Sequence, residues 1–183
     1  TDAYDDHQLM YDCKAPVSVE YFSMCNRLVS RNVFERNVIL PFEGVNMWDD
    51  VGLCTRVRFY TRGTAVINKG FYHYNRQNEQ STTRRPLLER AREQELCISC
   101  IEDFFRKEDS HDKYRLFLSY LRLVAAEDLF YYEPDIWRQK FEGLKDDLWK
   151  LRKLYTTKQL FKFYTLGCGG IIGKLVWKRF WKR

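Results

Sequence analysis

A chain of 183 residues that is 45% hydrophobic and 16% aromatic can bury one substantial core, which excludes an intrinsically disordered protein. Its formal net charge of +6 is unevenly placed, because residues 158 to 183 carry seven cations and no acid, leaving −1 on the rest. The body is therefore no polycation and contains no recognised nucleic-acid module, so nucleic acid is not an expected partner.

In chain order, residues 17–36 (VSVEYFSMCNRLVSRNVFER) have helical spacing of apolar positions, which the Asn37 to Gly44 region with Pro41 breaks. A helix restarts at DDVGLCTRVRFYTRG, residues 49–63, with Val51, Cys54, Val57 and Arg58 along one face and Gly63 as C-cap. The stretch TAVINKGFYHYNRQ, residues 64–77, is β-branched and aromatic with partial alternation and predicts strand around Ala65 to Tyr74. From Pro86, at a first helical position, apolar Leu88, Ala91, Ile98, Ile101 and Phe105 mark a helix. A second runs from about Lys113 through Leu118, Leu121 and Ala125 to the LFYY cluster. The third starts at Pro134, with Glu133 as a cap, and carries Trp137, Phe141, Leu144, Leu148, Leu151 and Tyr155 in steps of four and three.

These elements define an α+β, mainly helical class with a small strand element in the front half and a helical C-terminal extension. The expected organisation is a front part over 1–85, a helical extension over 86–157 and a basic amphipathic tail over 158–183. The front has no Gly-rich phosphate loop and no run of parallel strands, so by itself it is incomplete as a nucleotide-binding fold. The chain begins at Thr1 without a charged-then-apolar leader, the pattern of a processed or shortened protein.

Six cysteines (Cys13, Cys25, Cys54, Cys97, Cys100, Cys168) are scattered through a chain too large to need disulfide staples, which points to a reducing, cytoplasmic home. CISC at 97–100 has no second CxxC and falls mid-helix, where buried thiols outnumber metal ligands. The tail is too short and too broken by glycine to span a bilayer. On a helical wheel from Gly173, Trp177, Phe180 and Trp181 share one arc, while Lys174, Lys178, Arg179, Lys182 and Arg183 take most of the rest. That pattern suits an anionic membrane surface; the alternative is aromatics packed on the body with their cations left in water.

The chemistry-bearing stretch is NMWDDVGL, residues 46–53, where two carboxylates follow a tryptophan. One reading is structural: Asn46 or Asp49 caps the helix, and acids in its first turn suit the positive end of the dipole. The other is chemical, since acids at a helix start beside a segment ending in YHYNRQNEQS gather carboxylates, an imidazole, an arginine and amides suited to a sugar or phosphate. The residues alone leave both open.

CNRLVSRNVFERN, then LPFEGVNMWDDVGL, then GFYHYNRQNEQSTTR together resemble, over about residues 20–84, the second half of bacterial family 2 glycosyltransferases of the GT-A type. The resemblance implies a partial GT-A-like fold, with residues 1–85 on the acceptor side. It makes Asp50 the general base of an inverting transfer, with Asp49 orienting the acceptor or tuning Asp50, and Trp48 an acceptor-binding platform. His73 would contact the donor diphosphate or a divalent metal, and Arg76 the diphosphate; a structural hydrogen bond is the plain alternative for His73. The intact enzyme would use Mg or Mn, a nucleotide sugar and a glycan acceptor for a cell-surface polysaccharide, at the inner face of the cell membrane. The donor-side half with its Asp-x-Asp motif has no counterpart in the chain, so this stretch alone is expected to bind no metal and to be inactive. A non-catalytic helical interaction module with a membrane-surface tail is the competing expectation, and unpaired strand edges raise that of a homo-oligomer.

Overall fold

The computed structural model describes residues 2–11, 22–67, 69–73, 87–132, 134–168 and 175. In chain order these form β1 (Asp2–Tyr4), α1 (Asp6–Tyr11), α2 (Arg31–Asn37), α3 (Asp49–Tyr60), β2 (Thr64–Val66), α4 (Leu87–Lys107), α5 (Arg115–Tyr132) and α6 (Pro134–Leu151). A 3-10 turn, Arg152–Leu154, leads into α7 (Thr157–Cys168). The fold is mainly helical.

The back of the molecule follows from apolar periodicity. Helix α4 buries Ala91, Ile98, Ile101 and Phe105 against α5, and α6 buries Trp137, Phe141, Leu144, Leu148 and Leu151. Between them, α5 is buried on two sides, through Phe117, Leu118, Leu121 and Leu123 among others. The predicted seam of α6 is therefore observed. Tyr155, its last member by spacing, lies past the 3-10 turn and packs edge-on against Phe163 of α7.

Short polar motifs set the corners. At the end of α4, Asp109 adopts a left-handed conformation (φ 49°), which aspartate tolerates, and the Ser110 amide turns back to the Phe105 carbonyl. At the start of α7, the Thr156 hydroxyl accepts the Gln159 amide while the Gln159 side chain accepts the Thr156 amide, at 3.2 and 2.9 Å. This is a reciprocal capping box, legible in the spacing T-x-x-Q. Helix α7 packs on α6 through Phe163 and Tyr164, so residues 158–168 belong to the packed body.

The front is assembled differently. Antiparallel β1 and β2 pair Asp2 with Val66 and Tyr4 with Thr64. Behind this ribbon, the buried Asp6 carboxylate accepts hydrogen bonds from Arg58 at 2.5 Å, from the Thr61 hydroxyl at 3.0 Å and from the Thr64 hydroxyl at 2.9 Å. A charge taken out of water this completely persists only when paired and hydrogen-bonded, and these contacts tie the first helix to the junction between the end of α3 and the start of β2. The fold fits a mainly helical class and not a GT-A-like fold, since the sheet among the described residues has two short strands.

Three local expectations change. The helix expected across 17–36 is interrupted: residues 23–30 are irregular and only Arg31–Asn37 is a full helix within its described part. The Ser23 hydroxyl takes the Cys25 amide, and Arg27 donates to the Ser23 carbonyl, so polar side chains satisfy this backbone outside a helix. Leu28 is fully exposed, so the apolar spacing there faces no core. Within the described part of the segment expected as strand, around Ala65 to Tyr74, the strand is Thr64–Val66, because among the described residues there only these meet a partner strand. Helix α3 ends at an extended Thr61 rather than at Gly63. Pro86 and Glu133 lie outside the described residues.

Candidate functional site

Helix α3 opens at Asp49. Its N-cap is Trp48, held in the left-handed region (φ 67°) with no side-chain capping bond. Neither Asn46 nor Asp49 therefore caps the helix, which corrects the structural reading of the acidic pair. Their charge still favours the positive end of α3.

A non-glycine residue at positive φ costs of order 1 to 3 kcal/mol and persists where its surroundings over-determine it. At Trp48 the surroundings are specific. Its carbonyl accepts the Gly52 amide at 3.0 Å and the Cys97 thiol of α4 at 3.2 Å, and its half-buried ring packs on the core. Gly52 admits the close approach of Phe42: a Cβ there would lie 2.8 Å from the Phe42 ring. That ring stacks under Arg56, whose guanidinium centre is 3.9 Å from its centroid and which donates to the Leu40 carbonyl at 2.5 Å. The loop before α3 is thus fastened to its first two turns.

The two carboxylates differ. Asp49 is exposed, whereas Asp50 is half-buried against residues 23–27. It accepts hydrogen bonds from the Met24 backbone and the Ser23 side chain, with Arg27 close by. Burial and the neighbouring Asp49 raise its proton affinity above the ordinary carboxylate value, and the bonds from Met24 and Ser23 and the charge of Arg27 offset only part of that rise. A carboxylate with this balance is a stronger base than a solvated one and keeps an outward aspect. Beneath it, the Cys54 thiol lies 3.4 Å from the Met24 sulfur, and burial pushes its pKa to about 11.

The structure brings together Trp48, Asp49 and Asp50, as neighbours in sequence must be, and adds Ser23, Met24 and Arg27. The sequence segment SMCNR held that signal, as part of the stretch carrying the family resemblance. His73 is exposed beyond β2, and no hydrogen bond between described residues joins it to the acidic pair. Arg76 and the tail residues Lys174, Trp177, Lys178, Arg179, Phe180 and Trp181 lie outside the described residues. Among the described residues no three His, Cys, Asp or Glu side chains gather as a cation site.

Cys97 and Cys100 lie within α4, as expected of the CISC stretch, and both thiols are free. Burial first, then the adjacent Cys100, pushes Cys97 up to about 12, so it stays protonated and acts as a hydrogen-bond donor to Trp48. No helix among the described residues is long and apolar enough to cross a membrane. No family model matches the chain, and neither the curated proteins nor the solved structures compared with it give a match.

Proposed function

We propose that this chain is the acceptor-side part of an inverting glycosyltransferase of the bacterial family 2 type, with Asp50 as general base. The supporting observation is the asymmetry of the acidic pair: Asp50 is half-buried on Ser23 and Met24, while Asp49 stays in solvent. Arg27, from the first of the segments that carry the family resemblance, lies near this carboxylate of the second. In this reading the acceptor hydroxyl gives its proton to Asp50 as its oxygen bonds to the anomeric carbon of the donor sugar. The bond from that carbon to the nucleoside diphosphate breaks, and its electron pair leaves with the diphosphate.

A raised proton affinity suits the base, because proton transfer is most effective when the pKa lies near the working pH. Asp49 contributes the nearby charge that raises it, and Trp48 offers its ring as a sugar platform beside the pair. His73 and Arg76 are assigned to the diphosphate, and the ion expected in the intact enzyme, Mg or Mn, enters no step here. The reading includes cytoplasmic, peripheral placement at the inner membrane face, contact of the tail (Lys174, Trp177, Lys178, Arg179, Phe180, Trp181) with anionic lipid, and pairing of strand edges between copies. The mainly helical fold favours a second reading, a non-catalytic helical interaction module with the same tail.

The test is Asp50→Asn in the longest natural chain that contains this sequence, assayed for transfer from labelled nucleotide sugars. Turnover should fall roughly 100-fold or more with donor binding little changed, and Asp49→Asn should be milder. Near-normal turnover in Asp50→Asn would reject the base, and a natural chain lacking a nucleotide-binding half would favour the second reading.

A further inference from the structure

We infer that the corner where α6 turns into α7 is a contact for an anionic lipid surface, separate from the tail. The site is the run WKLRKLYTTK, residues 149–158, which holds Lys150, Arg152, Lys153 and Lys158 and no acid. Its apolar members are not spent on packing alone: Trp149 is 60% exposed and Leu154 is 40% exposed, whereas Leu151 between them is buried. The Arg152 guanidinium lies 4.6 Å from the Trp149 ring and also donates to the Trp149 carbonyl at 2.7 Å. This fixes an aromatic plate and a cation side by side at the last turn of α6.

The geometry concentrates charge. A 3-10 turn follows the helix directly, so the run folds into a tight corner rather than an extended strip. Lys150 reaches the buried Asp147 at 3.6 Å, but Asp147 is already met by Arg115 at 2.8 Å, so the corner keeps excess positive charge. Exposed Asp146, one turn back from Lys150, adds one negative charge beside the run's four formal positive ones.

Exposed tryptophan beside lysine and arginine is the pairing favoured at the headgroup boundary, where the ring sits among polar heads and the cations meet acidic ones. Charge complementarity selects an anionic lipid surface as the occupant. Nucleic acid fits less well, because the corner pairs one aromatic with an aliphatic leucine and offers no row of stacking rings. The inference shares its class of partner with the proposed tail contact but uses different residues, so the two can fail independently.

The experiment is cosedimentation with vesicles of phosphatidylcholine, with or without phosphatidylserine, using the full chain. A tail variant replaces Lys174, Lys178, Arg179, Lys182 and Arg183 by Gln; a corner variant carries Lys150→Gln, Arg152→Gln and Lys153→Gln; a third combines both. Circular dichroism checks that each is folded. The tail variant should retain low-salt binding to the anionic vesicles, and adding the corner substitutions should weaken it by about 100-fold, since each cation near the surface contributes a several-fold factor. Trp149→Ala in the tail variant should weaken binding further than loss of salt-sensitive charge explains, leaving the salt slope unchanged. No binding by the tail variant while the unaltered chain binds would overturn the corner contact and leave the tail. Equal binding by the tail variant and the combined variant would also overturn it, as would displacement of the tail variant from vesicles by single-stranded RNA at equal charge.

Discussion

The back of the molecule, from α4 to α7, and the front, from β1 to β2, are stabilised by different physics. The back is a stack of amphipathic helices whose apolar faces interdigitate, so its stability is spread over many interchangeable contacts. The front has short elements and depends on a few polar ties: Asp6 with Arg58 and two threonines, Arg56 with the Leu40 carbonyl, and Asp50 with Ser23 and Met24. Of the described non-glycine residues at positive φ, Val38 (49°) and Trp48 (67°) lie in the front, and Asp109 (49°) ends α4 in the back. The difference teaches that the helical part supplies rigidity, while the irregular part spends it to hold a carboxylate in a partly dry setting.

Breaking one tie in each region compares them directly. Phe141→Ala in the back and Asp6→Ala in the front should each cost about 3 to 5 kcal/mol, the first by leaving a cavity, the second by stranding the buried Arg58 charge. The pair becomes distinguishable on repair: adding Arg58→Met to Asp6→Leu should recover most of the front's loss, because an apolar pair needs no compensating charge. Urea unfolding of the single and double variants measures this. A front that loses nothing on Asp6→Ala would mean that the ribbon is not coupled to the core.

The next effect is smaller and local. Gly52→Ala places a Cβ against the Phe42 ring, so Phe42 and the stacked Arg56 must shift, at a cost of about 1 to 3 kcal/mol. If the proposed glycosyl transfer is correct, the same substitution should also lower transfer in the intact protein more than Phe141→Ala does at equal folded fraction, because it disturbs the acidic pair at the start of α3.

The pH dependence tests the α3–α4 junction. Burial raises the Cys54 thiol to about 11 and the Cys97 thiol to about 12 from 9.0, so both are held neutral in the fold. The unfolded thiols ionise first as pH rises through 9.0, so the unfolded state then binds fewer protons than the native one and stability falls with pH. This contribution is fully present below pH 9.0 and is lost as pH rises through about 11 and 12, which urea midpoints across the alkaline range will report. Cys97→Ala should flatten that decline; an unchanged alkaline limb would remove the thiol from the account. At the small end, Arg31→Ala breaks only a solvent-exposed pair with Glu35 and should change stability by less than about 0.5 kcal/mol.

Legibility follows the same division. The seam Trp137, Phe141, Leu144, Leu148 and Leu151 could be read directly, because a helix face is set by residues three and four apart. The start of α3 at Asp49 was likewise visible, and the T-x-x-Q box at Thr156 stood in the sequence as a short-range signal. The break at 23–30 was not visible from spacing, because Ser23 and Arg27 compete for backbone groups in a way that apolar periodicity ignores. The acidic pair was legible as a candidate, but the identity of its cap was not, since a tryptophan at positive φ follows no local preference.

By itself the sequence determined the mainly helical class, the order and facing of the back helices, and the place where two carboxylates begin a helix. Each of these rests on interactions within about one helical turn, which the chain carries wherever it goes. The tertiary structure alone decided that Asp6 meets Arg58 across 52 positions, that Cys97 holds the Trp48 carbonyl, and that Asp50 rather than Asp49 is half-buried on Ser23 and Met24. Those contacts join segments distant in the chain, so they form only when packing of the helical core repays the entropy of closing the loops between them.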